Sequence, residues 1–171
     1  MPDDPNPQLD PNWSPDGGKL VFGGAYTDPN SVVRIFDLKS RQISTLPGSK
    51  GFFSAHWSPD GRYVVAMPVD SLSLALYDFQ TQKCSELMKG SAAHPAWSAD
   101  GRYVYFLPWP DNPAVLRVRI SDRKVETVAE LKSPAITGHT MFWFGLAPDD
   151  SPLVLRDTGT QDIYALDWEA P

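Results

Sequence analysis

The chain has 171 residues, 42 % of them hydrophobic, with six Trp, six Tyr, eight Phe and seventeen Pro. That is enough for one domain with a buried core, and the density of aromatic and turn-forming residues favours strands over helices. The formal charge of −6 argues against nucleic acid as a main partner, since phosphate binding needs a basic face. Cys84 is the single cysteine, which excludes an internal disulfide and a thiolate metal cluster. No apolar run approaches membrane-spanning length, and Met1 to Pro7 has neither the basic start nor the apolar stretch of a signal peptide.

Residues 1–8 are rich in Pro and Asp and read as a flexible lead-in. The first unit, 9–48, opens with a short strand ending at Trp13. Then come Ser14-Pro15-Asp16-Gly17 and strands over Lys19–Gly23, Val32–Asp37 and Gln42–Leu46. The second unit, 52–89, repeats this around Trp57-Ser58-Pro59-Asp60-Gly61. Its strands are expected over Phe53–Trp57, Tyr63–Met67, Leu72–Asp78 and Cys84–Leu87. The third, 92–132, carries Trp97-Ser98-Ala99-Asp100-Gly101, with strands over His94–Trp97, Tyr103–Leu107, Val115–Ile120 and Val125–Leu131. The fourth, 140–168, has the worn copy Leu146-Ala147-Pro148-Asp149-Asp150. Its strands are expected over Met141–Leu146, Pro152–Arg156 and Ile163–Asp167, with no fourth strand after them.

The pentapeptide has a local physical job. Ser bonds the turn's own backbone, Pro pre-sets φ, Asp suits the next position and Gly takes φ > 0. Each copy therefore reads as a tight hairpin turn. Asp150, in the Gly place, is expected to make the fourth turn the most strained or most altered. Trp13, Trp57, Trp97 and then Leu146 stand 44, 40 and 49 residues apart, the period of a stacked or radial array. Four short antiparallel strands per period make the blade of a β-propeller: an all-β fold of about four blades, with the last lacking its outer strand.

The copies W-S-P-D-G-G-K-L-V-F and W-S-P-D-G-R-Y-V-V-A resemble the TolB-type WD40-like propeller repeat, which also occurs in prolyl-oligopeptidase-like enzymes. The resemblance covers Leu9 to Trp168. The closing stretch is similar to the last repeat of bacterial sensor and regulator proteins whose C-terminal half is such a propeller, preceded by a winged-helix or kinase domain. Those propellers have six to eight blades. The resemblance therefore implies that the ring is completed by further blades of a longer chain, by self-association with a second copy, or by tight closure of four blades. It also implies that relatives are often periplasmic or extracytoplasmic.

Chemistry-bearing motifs are few. There is no G-x-S-x-G, H-E-x-x-H, C-x-x-C or G-x-G-x-x-G. No enzyme activity and no cofactor is expected. His56 and His94 precede Trp57 and Trp97 by odd offsets. Strand alternation therefore turns both toward the face opposite the tryptophan, on strands that would line the channel. There they are candidates for a metal or an anionic ligand, against the simpler reading that they hydrogen-bond neighbouring backbone or water at a blade junction. His139 reads as a loop residue. Cys84 matches Ile43 and Val125 in the repeat and reads as a small core residue. The cluster Arg117, Arg119, Arg123 and Lys124 reads as a solvated strand edge and turn. Trp109, in the stiff loop Pro108 to Pro113, suits a protein contact or packing over its own blade. Trp143 and Phe144 are expected to fill the core where the fourth blade packs. The role expected is a scaffold binding a protein or peptide. The rivals are a small-ligand or metal sensor using the channel, and an accessory propeller of a hydrolase or kinase.

Overall fold

The computed structural model describes residues 8–70, 72–108, 114–131 and 144–154. The first sheet runs β1 (Leu9–Trp13), β2 (Lys19–Gly23), β3 (Arg34–Asp37) and β4 (Ile43–Thr45). The second runs β5 (Phe52–Trp57), β6 (Tyr63–Pro68), β7 (Leu74–Asp78) and β8 (Lys83–Met88). The third runs β9 (Ala92–Trp97), β10 (Tyr103–Pro108), β11 (Ala114–Arg119) and β12 (Val125–Glu130), and β13 (Phe144–Leu146) pairs with β14 (Pro152–Val154). Each sheet is an antiparallel meander in chain order, the topology of a propeller blade. Among the described residues there is no helix, and the sheets do not close a ring. The expected strand over Ile163–Asp167 lies outside the described residues.

The pentapeptides form the turns expected of them. Gly17, Gly61 and Gly101 have φ of 69°, 72° and 69°, and each donates its N–H to the carbonyl of the turn's first residue. Ser58, 1 % exposed, donates to Asp60 Oδ1 at 2.6 Å and accepts from the Tyr63 N–H at 2.8 Å. Ser14 and Ser98 repeat both bonds. The carboxylates of Asp16 and Asp100 accept a further backbone N–H just beyond the turn, and both titrate below their ordinary range because of these bonds.

Register explains how the blades stack. Trp57, Val64, Tyr77 and Cys84 form one row across the second blade. That row packs against Val21, Val33 and Ile35 of the first blade. Trp97, Val104 and Val118 form the same row in the third blade and pack against Val65, Met67, Leu74 and Leu76 of the second. So each tryptophan-bearing face meets the preceding blade, and the alternate residues meet the following one. Trp97 adds a hydrogen bond from its indole N–H to His56 O at 3.0 Å, and its ring stacks with Tyr63. Trp13 differs from Trp57 and Trp97, which are partly buried: it is 56 % exposed. Phe144, 5 % exposed, does fill the core between the third and fourth blades, with Tyr105, Leu107 and Val115. Trp143 lies outside the described residues.

Two third strands start later than the sequence predicts. Val33 gives its N–H to Ser49 Oγ rather than to a neighbouring strand, so β3 begins at Arg34. Leu72 takes φ of 51° and donates to Pro68 O, which keeps it out of β7. Cys84 is half-buried at the outer edge of its row, and burial raises its thiol pKa, in keeping with a core residue.

Candidate functional sites on the inner strands and the third blade

The inner strands β1, β5 and β9 each carry a β-bulge at the same place. Asp10 and Pro11 oppose Phe22, Ser54 and Ala55 oppose Ala66, and His94 and Pro95 oppose Phe106, because the register shifts there in all three blades. The first bulge residue has positive φ every time: Asp10 50°, Ser54 48° and His94 54°. None is glycine, so each conformation carries strain that the surrounding sheet must hold. The bulge also corrects the alternation argument for His94, since an extra residue between it and Trp97 breaks the period of two. His56 lies beyond its own bulge, pairs with Val65 and keeps the expected face.

The bulges draw polar groups of three blades together. His56 Nε2 lies 3.4 Å from Ser54 Oγ. Burial depresses the pKa of His56, the neighbouring His94 depresses it further, and Asp10 opposes both effects. His94 is likewise depressed by burial and opposed by Asp10. Asn12 Oδ1 accepts the Trp57 N–H at 2.9 Å, tying the first inner strand to the second. Both imidazoles are thus held neutral near one carboxylate. Among the described residues, no three His, Cys, Asp or Glu side chains converge closely enough to hold a metal ion.

A second group lies on the third blade, on the face toward the fourth. At equivalent register positions the first blade has Val21, Ile35 and Ser44, and the second has Val65, Leu76 and Ser85. The third blade has Tyr105, Arg117 and Glu126. Arg117 donates to Tyr105 Oη at 3.2 Å and twice to Glu126 Oε2, while its guanidinium lies 4.2 Å over the Tyr103 ring. Arg119 donates to Tyr103 Oη, Asp122 and Glu126 Oε1. Arg117 and Arg119 side chains stay about a third exposed. The hydrogen bond from Arg117 is the chief cause that keeps Glu126 below its ordinary range. The sequence reading of Arg117 and Arg119 as a solvated strand edge is therefore corrected: they form a fixed, two-layered Arg–Tyr–Glu plate. Finding it needs the pairing of β10, β11 and β12, which no local motif announces. Trp109 and His139 lie outside the described residues.

Four-stranded meanders, each with a W-S-P-D-G or W-S-A-D-G turn between its first two strands, define a WD40-like propeller. The chain belongs to the family described as "Eukaryotic translation initiation factor eIF2A", whose sequence model it matches over residues 3–110. It is 35 % identical over 79 residues to the WD repeat-containing protein AAC3 of Dictyostelium discoideum, a match covering 46 % of this chain and 16 % of that protein. Among solved structures, TolB from Acinetobacter baumannii is similar with a TM-score of 0.63 and 22 % identity, over 87 % of this chain and 43 % of that one. The β-propeller domain of Cps50 (Swd1) from Myceliophteria thermophila gives 0.64 and 16 %, over 88 % and 49 %. A propeller solved as oligogalacturonate lyase in complex with manganese gives 0.54 and 18 %, over 73 % and 40 %. The chain thus spans less than half the length of each of these proteins.

Proposed function

We infer that this chain is a non-catalytic propeller module that binds a protein or peptide. The observation that carries the reading is the Tyr105–Arg117–Glu126 row. The first two blades fold with Val–Ile–Ser and Val–Leu–Ser in the same places, so the fold does not require the polar row. A rigid guanidinium pair backed by tyrosines and left a third exposed suits recognition of carboxylates in a partner. The family description, a translation initiation factor, and the WD-repeat relative agree with a scaffold role, and the net charge of −6 favours a protein over RNA as the partner. The kinship in fold with a lyase does not by itself argue for catalysis, because function resides in sites rather than folds. Trp109, in its proline-rich loop, is proposed as a further protein contact.

A peptide library panned on the wild-type chain, with counter-selection on the triple variant Y105V/R117L/E126S, tests this. Acidic peptides that bind the wild type and lose affinity at least tenfold on the folded triple variant support the reading. Peptides binding both proteins equally, or no enrichment, sink it.

A second reading is a small-ligand or metal sensor on the inner strands. It rests on the three bulge residues Asp10, Ser54 and His94, whose left-handed backbone is kept without glycine beside the neutral His56. Titration with Zn²⁺ or Mn²⁺, followed by calorimetry, tests it on the wild type and on H56Q and H94Q. Heat that persists in both variants removes the histidines from the reading.

A further inference from the structure

We propose, on the reading of the third-blade plate as a recognition surface, that it takes a single carboxylate and that Glu126 is the residue that excludes phosphate. The plate is built of donors. Arg117 gives its Nε–H and an Nη2–H to Glu126 Oε2, and an Nη1–H to Tyr105 Oη. Arg119 gives its Nε–H to Tyr103 Oη, an Nη1–H to Asp122 Oδ2 and an Nη2–H to Glu126 Oε1. Among the described residues each guanidinium thus uses three of its five N–H groups, and two on each stay available. Tyr103 Oη accepts from Arg119, so its own O–H proton is left to donate. Both arginine side chains are about a third exposed, so a small anion can reach these donors.

Charge decides which anion. Three cations meet here: Arg117, Arg119 and Lys124, the last 3.7 Å from Glu126 Oε1. Two carboxylates, Glu126 and Asp122, face them, which leaves one positive charge over. Arg123 does not add to it, because its guanidinium reaches back to Ser85 of the second blade, and Asp100 is paired with Arg102. A partner carboxylate carries one negative charge and neutralises the surplus. A phosphoryl group carries roughly 1.5 to 2 near pH 7, and the excess falls against Glu126. Glu126 also occupies the Nε and Nη2 edge of Arg117, the edge by which a guanidinium grips an oxyanion with paired bonds. Phosphate therefore meets neither a free edge nor enough charge. Strand pairing puts Glu126 in this place, where the first two blades have Ser44 and Ser85. Removing its charge would turn the same plate into a phosphate site.

Titration of the intact, 15N-labelled chain with sodium acetate and with inorganic phosphate tests this, at pH 7 and constant ionic strength. The readout is the Nε–H resonances of Arg117 and Arg119. The wild type is expected to bind acetate saturably, with a dissociation constant on the order of millimolar, and phosphate no more tightly. E126Q keeps an oxygen acceptor and loses the charge. Its affinity for phosphate should rise roughly tenfold more than its affinity for acetate. E126D, which keeps the charge, should hold the wild-type preference. Phosphate bound more tightly than acetate by the wild type overturns the proposal whatever the variants do. So does the lack of a saturable shift with either anion, or an unchanged ratio in folded E126Q. If acetate binds with this preference while the peptide selection enriches nothing, the anion site stands and the protein partner is removed. If peptides are lost on the triple variant while the ratio is unchanged in E126Q, the protein partner stands and the role of Glu126 is removed.

Discussion

Asp150 Oδ1 accepts a hydrogen bond of 2.7 Å from the backbone N–H of Ala99, one blade away. These two residues occupy the proline and glycine places of consecutive turns. Elsewhere proline, which has no N–H, lies over glycine, which has no side chain. Here alanine supplies the N–H and aspartate supplies the acceptor. Asp150 keeps the turn's φ at 62° while doing so. The worn fourth copy is therefore a matched exchange. Ala99→Pro alone should destabilise the chain by about 1 kcal/mol, because it deletes the donor and leaves the carboxylate facing a ring. Adding Asp150→Gly should recover most of that loss. A double-mutant cycle by urea denaturation checks the coupling, and additive effects would remove it.

Gly23 is set by a close approach between blades. A Cβ there would lie 2.9 Å from Phe53 Cα, a backbone atom of the next inner strand that cannot swing away. Gly23→Ala is expected to cost roughly 1–3 kcal/mol by forcing the first two blades apart. The same substitution at Gly48, where a Cβ would meet nothing within 4 Å, removes only the freedom its φ of 73° needs, at about 1 kcal/mol. Thermal midpoints of the two variants check the order.

Stability should fall in two stages on acidification. His56 and His94 titrate below their ordinary 6.5 in the fold, so the unfolded chain takes up their protons first. Their contribution is complete above about pH 6.5 and is lost as pH falls through the depressed values. Asp16, Asp100 and Asp149 are depressed from 3.8 by their turn hydrogen bonds, so their share is lost only below that pH. Urea midpoints measured against pH should show both stages. H56Q and H94Q should flatten the upper stage and leave the lower one.

The third-blade plate should be salt-sensitive but replaceable. Glu126→Ala strips the shared acceptor from Arg117 and Arg119 and is expected to lower the thermal midpoint, by less at high salt. Y105V/R117L/E126S, which restores the second blade's row, should keep or raise the thermal midpoint. A midpoint well below that of Glu126→Ala would mean that the row is structural.

The turns were legible because each is decided within five residues: Ser, Pro, Asp and Gly each satisfy a local requirement. Blade number and strand order followed from counting them. The bulges were not legible: Asp10, Ser54 and His94 each stand three residues before Trp13, Trp57 and Trp97, but they share no residue type, and the extra residue shows only in the strands they oppose. That is why alternation placed His56 and failed at His94. Tyr105, Arg117 and Glu126 are separated by turns, and only pairing brings them into one row.

The second blade has an apolar neighbour on both sides, with Val64 and Tyr77 against one and Val65 and Leu74 against the other. In a linear array each unit draws much of its stability from the neighbours it touches. Amide hydrogens of β6 and β7 should therefore be the last to exchange with solvent, and those of β1 and β4 among the first. The order in which the molecule comes apart then has its last step in the second blade.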